Sequence, residues 1–513
     1  MQDDAFISFR YARNLANGNG LVFNTGERIE GYTNFLWTLL MAIPHLLHID
    51  AVFFAQATGL ACFAGTLLMT HRLAGRVLGS ESDSLLVVLL LASNYSFLCY
   101  ATGGLETQLQ TLLLVVVAYL GLADRPLSRA RDVLCLSWAC TLALMTRLDS
   151  LIALVPPMWL ATVRSLRTRR KLGSGSMIRP LGWSLPALMS LLVWLGWKMS
   201  YYGEILPNTV HVKGAETAVM KMGLQYGYIF VRSYLMVPAL LLSAVQARNA
   251  LRSPGIRVLG ASLAAWAAYV ISVGGDFMEF RILVPVLPFF FIVLLAGLPR
   301  SMAVRSTVVA SLVLGSLYHA STFRGAGAIE PMRNLQAHVL GEDDNWRQIG
   351  LDLQRLFATT HPAPLIATTA VGAIPYYSRL PTVDMLGLTD REVALHGLPA
   401  DLKPGHRKLA TTAYLLSRGV NFVLGHPEVR TDARSACDAY LANDLTMFRL
   451  KDSTRERLPA DANVVDLPLD RHRVLRVLYL IRNPQLDELV ARVALRVCPI
   501  GATPSLAGRN VPS

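Results

Sequence analysis

The stretch SLLVVLLLASNYSFLCYATGGLETQLQTLLLVVVAYL, residues 84–120, decides the fold class. Two apolar runs flank the short segment GGLET at 103–107, and Glu106 carries the only charge. Apolar runs of this kind are typical of helices that cross a membrane. The whole chain of 513 residues is similar, with 53% hydrophobic and 16% charged residues, where soluble proteins average about 25% charged. The sequence therefore predicts a polytopic helical membrane protein.

Ten apolar runs of spanning or nearly spanning length follow one another before residue 321. They are 51–70, 84–100, 106–122, 132–146, 150–163, 181–199, 226–246, 257–273, 281–298 and 304–320. Several are shorter than the ~20 residues that a straight span needs. We therefore expect a transmembrane domain over residues 51–320 with about ten spans.

The loops between these runs alternate in character, and this predicts their sides. One set is basic, as at Arg125, Arg129 and Arg131. The other set mixes acids and bases with Gly, Asn, Pro and aromatic residues: GGLET at 103–107, TRLDS at 146–150, YYGEILPNTVHVKG at 201–214 and GGDFMEFR at 274–281. Cytoplasmic loops carry an excess of Lys and Arg. The second set, together with the opening segment, is therefore expected on the extracytoplasmic side.

The run TNFLWTLLMAIPHLLHI at 33–49 is expected to lie on the membrane rather than to cross it. A crossing here would move every later arginine cluster to the outside, so we interpret the run as an interfacial or re-entrant helix with Pro44 as a break. Residues 1–50 then form a first outer loop with interfacial helices. Because a polar N-terminus does not cross a bilayer unaided, we expect a further transmembrane helix ahead of Met1.

Beyond residue 320 the composition becomes that of a soluble domain. Short β-branched runs at 364–368, 420–424 and 474–481 alternate with helical patterns at 343–357 and 408–418. This predicts an extracytoplasmic α/β domain over residues 321–513. Cys437 and Cys498 fall in it and could pair in an oxidising compartment or stay separate.

Ionisable residues at a membrane edge are costly, so those on the predicted outer face are functional candidates. The opening loop has Asp3, Asp4, Arg10, Arg13, Glu27, Arg28 and Glu30, and later outer loops add Glu106, Arg147, Asp149, Glu204, Lys213, Asp276, Glu279 and Arg281. The Asp3–Asp4 pair could begin a helix, bind a divalent cation, or provide a general base tuned by its neighbour. Arg147 and Asp149 could form an interfacial ion pair alone.

The outer position of these residues limits the chemistry. The sequence has no P-loop, no Cys/His metal spacing and no serine nucleophile elbow. The net charge of +13 is spread in short clusters between apolar runs, so no nucleic-acid partner is expected. A donor on this side must be lipid-borne, such as a sugar on a polyprenyl phosphate. A carboxylate would take the proton of an acceptor hydroxyl while cations stabilise the departing phosphate, with inversion at the anomeric carbon.

A series of motifs along the chain resembles the GT-C superfamily of polytopic glycosyltransferases. The motifs are DDAFISFRYARNLANGNGLVFNTGERIEGYTNFLW at 3–37, GGLETQL at 103–109, TRLDS at 146–150, YYGEILPNTVHVK at 201–213, GGDFMEFRILVPVLP at 274–288 and GAIPYYSRLPTVDMLGLTD at 372–390. They are most similar to mycobacterial terminal β-(1→2)-arabinofuranosyltransferases and their bacterial homologues. The resemblance implies a multi-pass protein of the bacterial cytoplasmic membrane. It also implies that the donor is a sugar linked to polyprenyl phosphate and that the acceptor is an envelope glycan or glycolipid. Arabinofuranose is the sugar that the relatives transfer.

The resemblance also assigns roles to residues. The acidic motif of the first outer loop is the catalytic element, so Asp3 or Asp4 is expected to be the general base. Arg147, Lys213 and Arg281 are candidates for the donor phosphate. Glu30, Tyr32, Asn34, Glu106, Asp149, Asn208 and Asp276 are candidates for substrate contacts, and Asp276 could instead support the catalytic pair or help to hold a divalent cation. We expect these residues to meet around one pocket.

Two other classes of function remain open at this level. A polytopic transporter or flippase for an envelope lipid would need charges at mid-bilayer and broken helices in two similar halves. A receptor-like protein without catalysis would leave the aspartate pair and the arginines without a role.

Overall fold

The computed structural model describes residues 1–123, 129–171, 178–213, 217–342, 344–400, 404, 406–430, 448–450, 458–470 and 472–500. All ten predicted apolar runs are helical for most of their length. The N-terminal helices are α1 (Asp3–Ala16), α2 (Phe35–Leu46), α3 (Ala51–Leu78), α4 (Glu81–Ser93), α5 (Tyr95–Cys99), α6 (Thr107–Gly121), α7 (Ala130–Thr146), α8 (Ser150–Lys171) and α9 (Ile178–Tyr202). They are followed by α10 (Thr209–Lys213), α11 (Thr217–Ser233), α12 (Val237–Ala244), α13 (Ala247–Ala250), α14 (Pro254–Val273), a 3-10 helix (Arg281–Val286), α15 (Leu287–Ala296) and α16 (Met302–Thr322).

Local sequence signals mark the ends of these helices. Asp50 caps α3 by accepting a hydrogen bond of 2.7 Å from the backbone N–H of Phe53. The same helix ends at Gly79, whose positive φ of 69° is the left-handed conformation that glycine adopts without strain. Helix α2 includes Pro44 and ends two residues later at Leu46, so the predicted break is the end of the helix.

Two described helices, α3 and α14, are long and apolar enough to cross a membrane. The pair α11 and α12, bent by 97° at its junction, makes a third if it forms one span. Helix α6 and the segment Arg281–Ala296 are apolar but shorter. The number of about ten spans, the sides of the loops and the interfacial position of α2 stay predictions.

The C-terminal region is α/β, as predicted. Its helices are α17 (Met332–Leu340), α18 (Trp346–Leu356), α19 (Ala373–Ser378), α20 (Arg391–His396), α21 (Thr412–Ser417) and α22 (Pro484–Val493). Its strands are β1 (Ile366–Thr368), β2 (Thr382–Asp384), β3 (Leu398–Pro399), β4 (Lys408–Leu409), β5 (Phe422–Arg430), β6 (Asn463–Pro468), β7 (Val474–Tyr479) and β8 (Arg496–Pro499). Six of them form one sheet in the order β2-β1-β5-β7-β6-β8.

One prediction for this region is corrected by the structure, and another cannot be compared with it. Residues 408–418 are not helical throughout, because Lys408 and Leu409 pair with β3 and Thr411 caps α21. Cys498 is buried on β8, whereas Cys437 lies outside the described residues, so their pairing stays a prediction.

Helix α1 joins the two halves of the molecule. Its start contacts the GGLET loop, where the backbone N–H of Gln2 donates to the carbonyl of Gly103 at 3.1 Å. Its apolar face packs on the C-terminal domain, with the ring centroid of Phe6 lying 5.4 Å from that of Tyr376. Helix α1 is therefore enclosed between the helical region and the α/β domain.

Candidate functional site

Asp4, near the start of α1, faces an arginine that lies 277 positions later. Its Oδ2 atom is 3.9 Å from Nη1 of Arg281, the first residue of the 3-10 helix. Nε of Arg281 also donates to Oδ2 of Asp276 at 2.7 Å. Gly275, the residue before Asp276, packs closely on Tyr226, since a Cβ there would lie 2.6 Å from the ring.

A second arginine, Arg147, is held by acids on both sides. Its Nη1 donates to Oε1 of Glu106 at 2.9 Å, and its Nη2 donates to Oδ2 of Asp149 at 2.7 Å. Asn34 holds the other oxygen of Glu106, with its amide donating at 2.8 Å. The three loops at 103–107, 146–150 and 274–281 therefore meet the opening loop at one place.

Two cavities adjoin this cluster. The polar cavity, of about 90 Å³, is lined by Asp4, Tyr32, Asn34, Glu106, Arg147, Asp276 and Arg281 together with other residues. The histidine cavity, of about 240 Å³, is lined by Asp3, Asp4, His338, Trp346, His406 and His426 among others. Asp4, Phe277, Leu388 and His406 line both. Asp4 therefore lies where the two cavities meet.

Asp3 has a different position from its neighbour. Its Oδ1 accepts a hydrogen bond of 2.7 Å from the N–H of Ala373, and its Oδ2 accepts one of 3.1 Å from the N–H of Gly372. Burial nevertheless raises the pKa of Asp3 to about 7. Because a Cβ at position 372 would lie 2.0 Å from the carbonyl oxygen of Asp3, only glycine fits there. Asp3 thus fixes α1 to the start of α19.

The remaining predicted residues either contact residues that line the polar cavity or lie away from it. Asp149 accepts hydrogen bonds from Gln110 and Tyr269 as well as Arg147, and so holds that arginine. The amide of Asn208 donates to backbone carbonyls of the C-terminal domain, the shortest at 2.7 Å. Lys213 is the last residue of α10, and its side chain lies outside the described part of the structure.

Glu30 is paired with a lysine that the sequence analysis did not select. Nζ of Lys198, in α9, lies 2.9 Å from Oε2 of Glu30, and both side chains are buried. Burial raises the pKa of Glu30 to about 7 although the Lys198 cation opposes the shift. A charged residue inside the apolar run 181–199 was the available signal for Lys198.

His338 was also missed, and nothing in its local sequence distinguishes it from an ordinary helix residue. It stacks on Trp346 at 4.7 Å and lies between Glu330 and Asp344. Burial by itself would lower its pKa, but the two carboxylates outweigh burial and raise the pKa to about 9. His338 is therefore an imidazolium in the wall of the histidine cavity.

Among the residues that the structure describes, no three His, Cys, Asp or Glu side chains are grouped so as to hold a metal ion. The possible divalent cation stays a prediction.

The fold is shared with a protein of known structure, ArnT from Cupriavidus metallidurans. Two crystal structures of ArnT from Cupriavidus metallidurans, one in the apo state and one bound to undecaprenyl phosphate, match 93% of this chain and 93% of their own chains. The TM-score is 0.53 in both cases, at 13% sequence identity. This confirms the predicted class of fold at the level of a mostly helical protein with a C-terminal α/β region.

The sequence is similar to two curated terminal β-(1→2)-arabinofuranosyltransferases, which confirms the resemblance drawn from the motifs. The protein of Corynebacterium glutamicum is 29% identical over 402 residues, which is 67% of this chain and 55% of that protein. The protein of Mycobacterium tuberculosis is 28% identical over 330 residues, which is 55% of this chain and 50% of that protein. The chain thus spans about half the length of these relatives. Residues 335–465 also match a family described as a domain of unknown function, DUF8728.

Proposed function

We propose that this chain is a membrane glycosyltransferase that moves a sugar from a polyprenyl-phosphate donor to an envelope glycan or glycolipid. The observation that carries the proposal is the 3.9 Å approach of the Asp4 carboxylate to the Arg281 guanidinium, at the junction of two cavities. The fold shared with an undecaprenyl-phosphate-bound ArnT and the similarity to arabinofuranosyltransferases support it. Arabinofuranose is the sugar that the relatives' names suggest. Nothing in these comparisons favours the transporter alternative.

Asp4 is the general base in this mechanism. An acceptor hydroxyl in the histidine cavity gives its proton to the Asp4 carboxylate as its oxygen attacks the anomeric carbon of the sugar in the polar cavity. Attack opposite the phosphate inverts that carbon. Asp3 is less suited to the role, because both of its carboxylate oxygens accept backbone hydrogen bonds from the C-terminal domain. Asp3 instead holds Asp4 at the junction by fixing the start of α1.

Arg281 is the residue we assign to the donor phosphate. Its Nε is occupied by Asp276, while among the described residues its two Nη groups form no hydrogen bond and have only the 3.9 Å contact with Asp4. Two parallel N–H groups match two oxygens of a phosphate and stabilise the charge that develops as it departs.

Arg147 has a supporting role. Its Nε, Nη1 and Nη2 donate to oxygens of Asp149, Glu106 and Thr33. It therefore orients Glu106, which with Tyr32 and Asn34 is placed to contact the sugar hydroxyls. We place the whole site on the extracytoplasmic face of the bacterial cytoplasmic membrane, where a lipid-borne donor is available.

The test is sugar transfer from a radiolabelled polyprenyl-phosphate sugar by the purified full chain in phospholipid vesicles. Asp4→Asn should lower the rate by about 10²–10⁴-fold, since the base is lost while the shape is kept. Asp461→Asn, an exposed aspartate of the C-terminal domain, is the matched control and should leave the rate unchanged. Full transfer by a correctly folded Asp4→Asn protein would refute the assignment.

A further inference from the structure

A third cavity of about 780 Å³ lies on the other side of α1 from the proposed active site. Arg10 and Arg13 of α1 line it with His45 and His48 at the end of α2 and Arg379 and Arg418 of the C-terminal domain. Arg13 follows Asp4 by nine residues, about two and a half turns at 3.6 residues per turn, so the two side chains leave opposite faces of the helix. We call this cavity the basic cleft.

Arg10 is a buried cation whose hydrogen-bond acceptors are all neutral. It is 4% exposed, and it donates to the carbonyls of Phe23, Pro375 and Leu380 and to Oδ1 of Asn24. These contacts satisfy its N–H groups but do not cancel its charge. Burial, and after it the adjacent Arg13, lowers the pKa of Arg10 to about 9.

Arg13 and Arg379 also lack a carboxylate partner among the described residues, whereas Arg418 is paired with Glu27 and Asp390. Arg13 donates to the carbonyl of Tyr376 at 2.6 Å and lies 4.7 Å from the centroid of the Tyr376 ring. Arg379 is exposed, and its side chain makes no hydrogen bond or ion pair with the described residues. Among the described residues that line the cleft, Glu27 is the one carboxylate, and it is paired with Arg418.

The charge of the cleft therefore needs a counter-ion. Four arginines and one glutamate line the cleft, and Asp390, 3.6 Å from Arg418, offsets one further charge, which leaves a net charge of +2 before either histidine is protonated. The carbonyl ends of α1 and α19 supply at most about half a negative charge each, which offsets only part of this. Arginine clusters of this kind are suited to phosphate, which accepts several charge-assisted hydrogen bonds at once.

We propose that the basic cleft binds a phosphate group, separately from the donor site at Arg281. An anionic lipid and a free phosphate ester are the two sources of that group. The surroundings favour the lipid: Leu46 and Leu47, between the two cleft histidines, are 62% and 61% exposed, and Phe53 at the start of α3 is 66% exposed. Exposed apolar side chains of this kind can contact lipid chains while the neighbouring basic groups bind the lipid headgroup at a membrane surface.

The experiment uses the delipidated full chain in neutral detergent. Binding of inorganic pyrophosphate is measured by calorimetry, and binding of phosphatidylglycerol or phosphatidylcholine is measured by native mass spectrometry. Arg379→Gln changes an exposed side chain and should leave the fold intact. The double variant Arg13→Gln/Arg379→Gln removes two cleft arginines that lack a carboxylate partner among the described residues. Arg355→Gln/Arg482→Gln has the same net charge as the double variant and changes two exposed arginines away from the cleft.

The cleft variants should weaken binding at one phosphate site at least tenfold, the control should not, and the effect should persist in an Arg281→Gln background. Preferential retention of phosphatidylglycerol that pyrophosphate displaces identifies a lipid source. Pyrophosphate binding without any lipid preference identifies a soluble source. Absence of both, or affinities that Arg379→Gln and the double variant leave unchanged, overturns the proposal.

Discussion

Asp3 and Ala373 lie 370 positions apart in the chain and are joined by a hydrogen bond of 2.7 Å from the backbone N–H to the carboxylate. Because Asp4 follows Asp3 directly, the docking of the C-terminal domain also sets where the proposed base stands. The proposed base and the contact between the two halves of the molecule therefore share one turn of α1.

Stability should depend on pH through Asp3. Its pKa rises from 3.8 to about 7 on folding, so between these values the folded state holds a proton that the unfolded state releases. The contribution of Asp3 to the free energy of unfolding is complete below pH 3.8 and falls as pH rises, by at most about 1.4 kcal/mol per pH unit. It is lost above about pH 7. Asp3→Asn should remove this part of the slope. Unfolding profiles of the wild type and the variant that stay parallel from pH 4 to 8 would contradict it.

Gly372→Ala should separate the two halves. The new methyl carbon would lie 2.0 Å from the carbonyl oxygen of Asp3, so the backbone must move, at a cost of about 3 kcal/mol. We expect faster proteolysis between α16 and α19 and loss of sugar transfer. Gly260→Ala in α14 is the control, since a Cβ there meets nothing within 4 Å. Equal melting temperatures for the two variants would argue against the close contact.

Lys198→Met should be strongly destabilising, by about 3–5 kcal/mol, because it leaves Glu30 buried without its partner. Adding Glu30→Gln removes the unpaired charge and should recover most of the loss. Melting temperatures of the two single variants and the double variant give the coupling energy. Additive losses would show that the two groups do not depend on each other.

Arg281→Lys should raise KM for the donor about tenfold, since lysine keeps the charge but loses the paired N–H groups. Arg281→Gln should have a larger effect that extends to kcat. The control is Arg324→Lys, an exposed arginine after α16. Unchanged donor kinetics in both Arg281 variants would remove this residue from the phosphate site.

Much of the architecture follows from local patterns. Hydropathy located helices in all ten apolar runs, because burial in lipid and backbone hydrogen bonding are satisfied within one segment. The sequence analysis selected both the aspartate pair at the start of the chain and the arginine of GGDFMEFR. The structure brings Asp4 and Arg281 together. The helical pattern at 408–418 was wrong in its first residues, where pairing with the preceding strand β3 prevailed.

Local sequence patterns predicted a membrane class, located the helical segments and the α/β nature of the C-terminal domain, and selected the charged loops from which the proposed site is drawn. Tertiary structure decided the role of each charge: Asp3 binds backbone amides, Asp4 faces Arg281, Lys198 neutralises Glu30, and Arg10 is left among neutral acceptors. The physical reason is the separation along the chain over which each kind of interaction acts. Hydropathy and capping act over a few neighbouring residues, whereas the partner of a buried charge is set by packing between segments hundreds of positions apart.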